Sequence, residues 1–130
     1  MNALIIYASR YGSTRLYAEK LSEKTGIPAI SYQNAPTRFD IKTIIYLGGL
    51  YAGGVLGLSK TLRNFSPQKD QSVILITVGL ADPEEAENRN NIRTALQKQL
   101  PEQLLGKIKL FHLRGSIDYQ KLTAGHRLLM

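Results

Sequence analysis

Cysteine is absent from the 130 residues, which excludes disulfide scaffolds, thiolate metal sites and thiol nucleophiles in one step. The redox compartment stays open, because nothing in the chain has to be oxidised. Long apolar runs are lacking as well. No stretch approaches the roughly 18 residues of a spanning helix, and the start MNALIIYAS has neither the basic lead nor the extended apolar stretch of a secretory signal. A cytoplasmic protein is therefore expected. There is no linker, repeat or low-complexity tract, and the length suits one domain spanning residues 1–130. Acidic residues are scarce beside basic ones, 10 against 17, giving a net charge of +7. Such an excess suits phosphate-bearing ligands, an anionic membrane surface or an acidic partner. The basic residues form no aromatic-interleaved stripe, so no nucleic acid is expected. The two histidines, His112 and His126, have no second ligand at metal-binding spacing, and no metal is expected.

What is present is enough for a core, with 43% hydrophobic and 21% charged residues. Short apolar runs rich in β-branched and aromatic side chains recur at Ala3–Ala8, Thr43–Leu47, Val73–Val78 and Ile108–Leu113, with a weaker one at Pro28–Tyr32. Runs of this kind suit strands buried on both faces. Helical stretches are expected between them at Ser13–Thr25, Val55–Asn64 and Pro83–Leu100. In the first, Leu16, Tyr17 and Leu21 supply an apolar side and Gly26 the stop; in the last, Asp82 and Pro83 supply a cap and a first-turn proline. Strands alternating with helices predict a doubly wound α/β domain with a parallel sheet, whose ligands bind at the carboxyl ends of the strands.

The loops at those ends carry the chemistry. Ser9-Arg10-Tyr11-Gly12-Ser13-Thr14 follows the first strand and opens the first helix. Hydroxyls, a glycine and a run of N–H groups at a helix N-terminus make a nest for a phosphate, although Ser13 or Thr14 could equally serve as a helix cap. The segment is neither G-x-G-x-x-G nor G-x-x-x-x-G-K-[ST], so a nicotinamide turn and an NTPase P-loop both fail on the residues. A receiver domain is disfavoured, because Ala8-Ser9 stands where an acidic pair for Mg²⁺ is needed.

The run from Ile5 to Leu21, IIYASRYGSTRLYAEKL, resembles the flavodoxin signature. IIYLGGLYAGG (Ile44 to Gly54), TVGLADP (Thr77 to Pro83) and FHLRGSIDYQKL (Phe111 to Leu122) extend the resemblance to flavodoxin-domain proteins related to menaquinone-dependent protoporphyrinogen oxidase. The resemblance implies a five-stranded sheet of order 2-1-3-4-5 and non-covalent FMN. It implies that the phosphate lies among Ser9, Arg10, Tyr11, Gly12, Ser13 and Thr14. The isoalloxazine would lie against Gly49, Leu50, Tyr51, Ala52 and Gly53, with Gly79 and Leu80 on its other side. Tyr51 would offer a ring to stack on, and Leu80 stands where many flavodoxins have a tyrosine. Arg114 could set a cation beside the cofactor or a substrate. No catalytic side chain is expected, since the flavin carries the reaction.

The implied activity is a quinone-linked oxidation of a porphyrinogen-type substrate, with peripheral association at the inner face of a membrane. The alternatives are a simple electron carrier serving a redox partner and a non-catalytic module that has lost FMN. The chain stops at Leu122–Met130, where a final helix should begin, which leads to the expectation of an uncovered apolar face and a homodimer.

Overall fold

A computed structural model describes residues 3–9, 12–35, 41–51, 54–62, 71–79 and 86–114. Strand β1 (Ala3–Ala8) leads into helix α1 (Ser13–Thr25), then β2 (Ala29–Ser31), a 3-10 turn at Tyr32–Asn34, β3 (Thr43–Tyr51) and β4 (Gly54–Val55). Helix α2 (Leu58–Leu62), β5 (Ser72–Gly79), α3 (Ala86–Gln99), α4 (Glu102–Leu105) and β6 (Ile108–Arg114) follow. The sheet runs β2-β1-β3-β5-β6 with every one of these pairings parallel, and β4 turns back antiparallel onto β3. Leaving β4 aside, this is the expected order of five.

Alternation along the strands divides the core into two layers. Ile6, Ile44, Tyr46, Val73 and Leu75 face Leu58 and Leu62 of α2 and Ile92 and Leu96 of α3. Ile5, Ile45, Leu47, Ile74 and Ile76 share the other layer with Tyr17, Ala18 and Leu21 of α1. Every residue of β5 from Val73 to Val78 is buried, as a central strand covered on both faces requires. Helix α1 has the expected bounds, and the Gly26 N–H ends it by donating to the Ser22 carbonyl at 2.8 Å. Leu16, counted on the apolar side from the sequence, is instead 49% exposed. Thr14, Tyr17, Ala18 and Leu21 make the buried face.

Two boundaries differ from expectation in ways that shape the site. The third strand does not stop at Leu47 but continues through Gly48, Gly49 and Leu50 to Tyr51. The chain then reverses, so that Leu50 pairs with Val55 and Tyr51 with Gly54. Residues expected as a glycine-rich loop are thus largely a hairpin, because two further register pairs with β5, Gly48 with Thr77 and Gly49 with Val78, carry the ladder onward. Val55 is consequently strand, and the helix expected from it starts at Leu58. Helix α3 ends at Gln99, and the short α4, missed in the sequence, follows Pro101. The Asp82–Pro83 cap, Gly115, Ser116, His126 and the Leu122–Met130 segment behind the homodimer expectation lie outside the described residues.

Candidate functional site

The chain leaves β1 for β2 on one side and enters β3 on the other, so the strand order switches direction beside β1. A crevice at the carboxyl ends of β1 and β3 is the expected ligand position in such sheets. Helix α1 opens there. Its N-cap is Gly12, in the left-handed region at φ 95°, a conformation that costs a side-chain-bearing residue roughly 1–2 kcal/mol. Neither Ser13 nor Thr14 is the cap, which corrects the simpler structural role open to them from sequence; both are inside the first turn. The Gly12 N–H donates to Ser9 Oγ at 2.9 Å, and the Gly12 carbonyl accepts from the Leu16 N–H at 3.0 Å.

That geometry leaves the N–H groups of the first turn without partners from within the helix. Among the described residues no side chain caps them, and no acidic residue lies in the first turn to answer the positive end of the helix dipole. Thr14 is 3% exposed. It reaches the neighbouring strand end: a Cβ placed on Gly49 would lie 3.4 Å from Thr14 Oγ1. Ser9 and Gly12 are thus joined at the start of α1, and Thr14 lies beside the strand residue Gly49. Arg15 pairs with Glu19 at 2.8 Å on the exposed side of α1, which raises its pKa and keeps it cationic.

Beside this turn is a cavity of about 380 Å³. Tyr7, Ser9, Gly12 and Arg15 line it from β1 and α1, Ser31, Tyr32 and Gln33 from the end of β2, and Leu56 from the hairpin. Sequence reasoning missed the β2 contribution, since PAISY has no motif and its residues become a wall only through parallel pairing with β1.

The hairpin end of the crevice is fixed by side chains from afar. Tyr46, fully buried, donates its hydroxyl to the Leu56 carbonyl at 2.7 Å, and burial pushes the phenol pKa well above its ordinary value. The Leu56 N–H donates to the Gly49 carbonyl at 2.9 Å. Leu50 packs over Gly79, so these two predicted site residues meet each other. The remaining predicted residues Arg10, Tyr11, Ala52, Gly53 and Leu80 lie outside the described residues, as do the side chains of Tyr51 and Arg114. His112 is half-buried in β6 with Nδ1 2.5 Å from Thr77 Oγ1. Among the described residues no cluster of three or more potential ligands could hold a metal, and no helix is long and apolar enough to cross a membrane.

A parallel sheet of this order with an uncapped helix N-terminus at its switch point defines the flavodoxin-like class of α/β domains. The chain belongs to the flavodoxin domain family, whose model matches residues 4–130. Solved structures agree on the fold. Oxidised flavodoxin 1 from Bacillus cereus superposes with a TM-score of 0.61 at 12% identity, over 97% of this chain and 92% of that one. An FMN-dependent NADH-azoreductase from Bacillus anthracis, in complex with FMN, gives 0.65 at 9% identity over 99% of each chain. The Trp repressor binding protein from Bacillus subtilis gives 0.60 at 20% identity, over 98% of this chain and 97% of that one. No curated protein matches in sequence.

Proposed function

We propose that this chain binds FMN and works as a redox protein through it. The observation that carries the reading is the first turn of α1: left-handed Gly12 as N-cap, no side-chain cap and no acidic residue, set at the switch point between β1 and β3. Aligned N–H groups and the helix dipole suit a phosphate dianion there. The hydroxyls of Ser9, Ser13 and Thr14 add donors, and Arg10 and Tyr11 of the same stretch are further contacts of the phosphate in this reading. FMN supplies one- and two-electron chemistry when bound. The chain's own part is to hold the phosphate, seat the ring near Gly49, Leu50, Tyr51, Ala52 and Gly53 on one side and Gly79 and Leu80 on the other, and limit water on one face. A visible spectrum of the purified protein tests this: flavin absorption retained through gel filtration supports it, and an apoprotein that takes up no added FMN refutes it.

The finer reading is oxidation of a porphyrinogen-type substrate, with a quinone accepting the electrons and protons. It rests on the resemblance carried by IIYLGGLYAGG, TVGLADP and FHLRGSIDYQKL. The net charge of +7 suits an anionic membrane surface, where a quinone resides, or an acidic partner. Quinone-dependent oxidation of protoporphyrinogen by the flavin-loaded protein supports this reading. Electron transfer to a protein partner without that oxidation favours the simple carrier.

A further inference from the structure

The two-residue strand β4 has two edges, and only one of them is paired with β3. The other faces the last turn of α3. There the Val55 N–H donates to Gln99 Oε1 at 2.8 Å, and Gln99 Nε2 donates to the Val55 carbonyl at 2.9 Å. A side-chain amide thus pairs with the strand edge as a neighbouring peptide group would. The polarity of the Val55 main chain fixes which way the amide points. Val55 is fully buried, so both its polar groups need partners, and among the described residues this one side chain supplies them on that edge. Gly54 is shaped to admit it: φ is 131°, and a Cβ there would come 2.3 Å from Gln99 Oε1.

We propose that Gln99 is a positioning residue for the flavin ring, acting through β4, which it clamps against the end of β3. The inference rests on the FMN reading above. Leu50 and Tyr51 belong to the hairpin whose returning strand Gln99 holds, 44 residues away in sequence. Loss of the clamp frees the ring end of the crevice and leaves the phosphate end at Gly12 and Thr14 untouched. FMN and riboflavin, which share the ring and differ in the phosphate, therefore lose affinity by the same factor.

An amide is required because Val55 needs a donor and an acceptor together. A carboxylate at this position accepts from the Val55 N–H but faces the Val55 carbonyl with a second acceptor. A protonated carboxyl restores the donor. Gln99→Glu is accordingly a pH-dependent break in the clamp, and packing loss alone has no such dependence. Riboflavin is the probe of choice, because its ring does not titrate between pH 5 and 8 and it has no phosphate.

The experiment measures riboflavin and FMN dissociation constants for wild type, Gln99→Leu and Gln99→Glu, with hydrogen exchange at the Val55 amide in the flavin-free proteins. Gln99→Leu is expected to weaken both flavins about tenfold, the size of one or two lost hydrogen bonds. Gln99→Glu is expected to weaken riboflavin about tenfold at pH 8 and less than threefold at pH 5, where a half-buried carboxyl regains its proton. Wild-type riboflavin affinity in Gln99→Glu at pH 8, or a deficit equal at both pH values, overturns the proposal. If wild type binds neither flavin, the FMN reading has failed, and the Val55 amide decides the clamp alone. Exchange about tenfold faster in Gln99→Glu at pH 8 than in wild type supports it, and unchanged exchange overturns it.

Discussion

The two ends of the crevice are built by different means. At the phosphate end, a contiguous stretch from Ser9 to Thr25 makes its own geometry, through a left-handed glycine, a local bond from Gly12 to Ser9 Oγ and a helix that buries Tyr17, Ala18 and Leu21. At the hairpin end, nothing local suffices. The reversal after Tyr51 is held by Tyr46 from β3 and by Gln99 from α3, with Gly49 closing back on Leu56. One end is main-chain dipole and hydroxyls; the other is a set of part-buried polar contacts that reaches as far as α3. Damage to the first should be selective for the phosphate, and damage to the second should not be.

The largest contrast is expected from Ser13→Ala combined with Thr14→Ala. Removing two hydroxyls from the nest should weaken FMN about 100-fold, about 2.7 kcal/mol, at roughly 1–1.5 kcal/mol for each hydrogen bond to a charged group. Riboflavin titrated in parallel should change less than threefold; equal losses would break the distinction between the ends. Gly12→Ala comes next. It forces a side chain into φ 95° at a strain of about 1–2 kcal/mol, seen as a lower urea midpoint, with a further loss specific to FMN. An unchanged midpoint would show that the turn adapts without strain.

The phosphate end was legible in the sequence for the same reason that it is selective. Its signals are local: a strand run ending at Ala8, hydroxyls and a glycine in the next six residues, then helical spacing closed by Gly26. The expected bounds of β1 and α1 match the structure. The hairpin was not legible. Glycines at 48, 49 and 54 look like a loop, and only pairing of the first two with β5 and of Gly54 with Tyr51 makes them strand. Gln99 sits in a polar helix end, QKQ, with nothing to set it apart from a solvated surface. Tyr32 and Ser31 likewise become cavity lining only through the parallel pairing of β2. Contacts spanning tens of residues leave no periodic trace, whereas a strand, a glycine turn and a helix in succession do.

Tyr46→Phe tests the hairpin end with a smaller effect. Loss of the bond to the Leu56 carbonyl should cost about 1 kcal/mol of stability and weaken FMN and riboflavin alike by a few-fold. Selective loss of FMN would show that the two adjoining ends are coupled. The same residue sets the smallest expected effect, an alkaline one. Burial raises the Tyr46 pKa above its ordinary value of 10, so the unfolded chain releases this proton first and stability falls as pH rises past 10. By pH 10.5 the loss from this group should be under about 1 kcal/mol relative to neutral pH, and Tyr46→Phe should remove that part of the slope. An identical alkaline slope in both proteins would contradict it.

The most direct test of the central claim, that the first turn of α1 holds the phosphate of FMN, is calorimetric titration of the flavin-free wild type with FMN and with riboflavin under the same buffer and salt. A phosphate seated on the first-turn N–H groups predicts FMN binding tighter by about 100-fold or more, a difference of at least about 2.7 kcal/mol. Equal affinities for the two flavins would contradict the account.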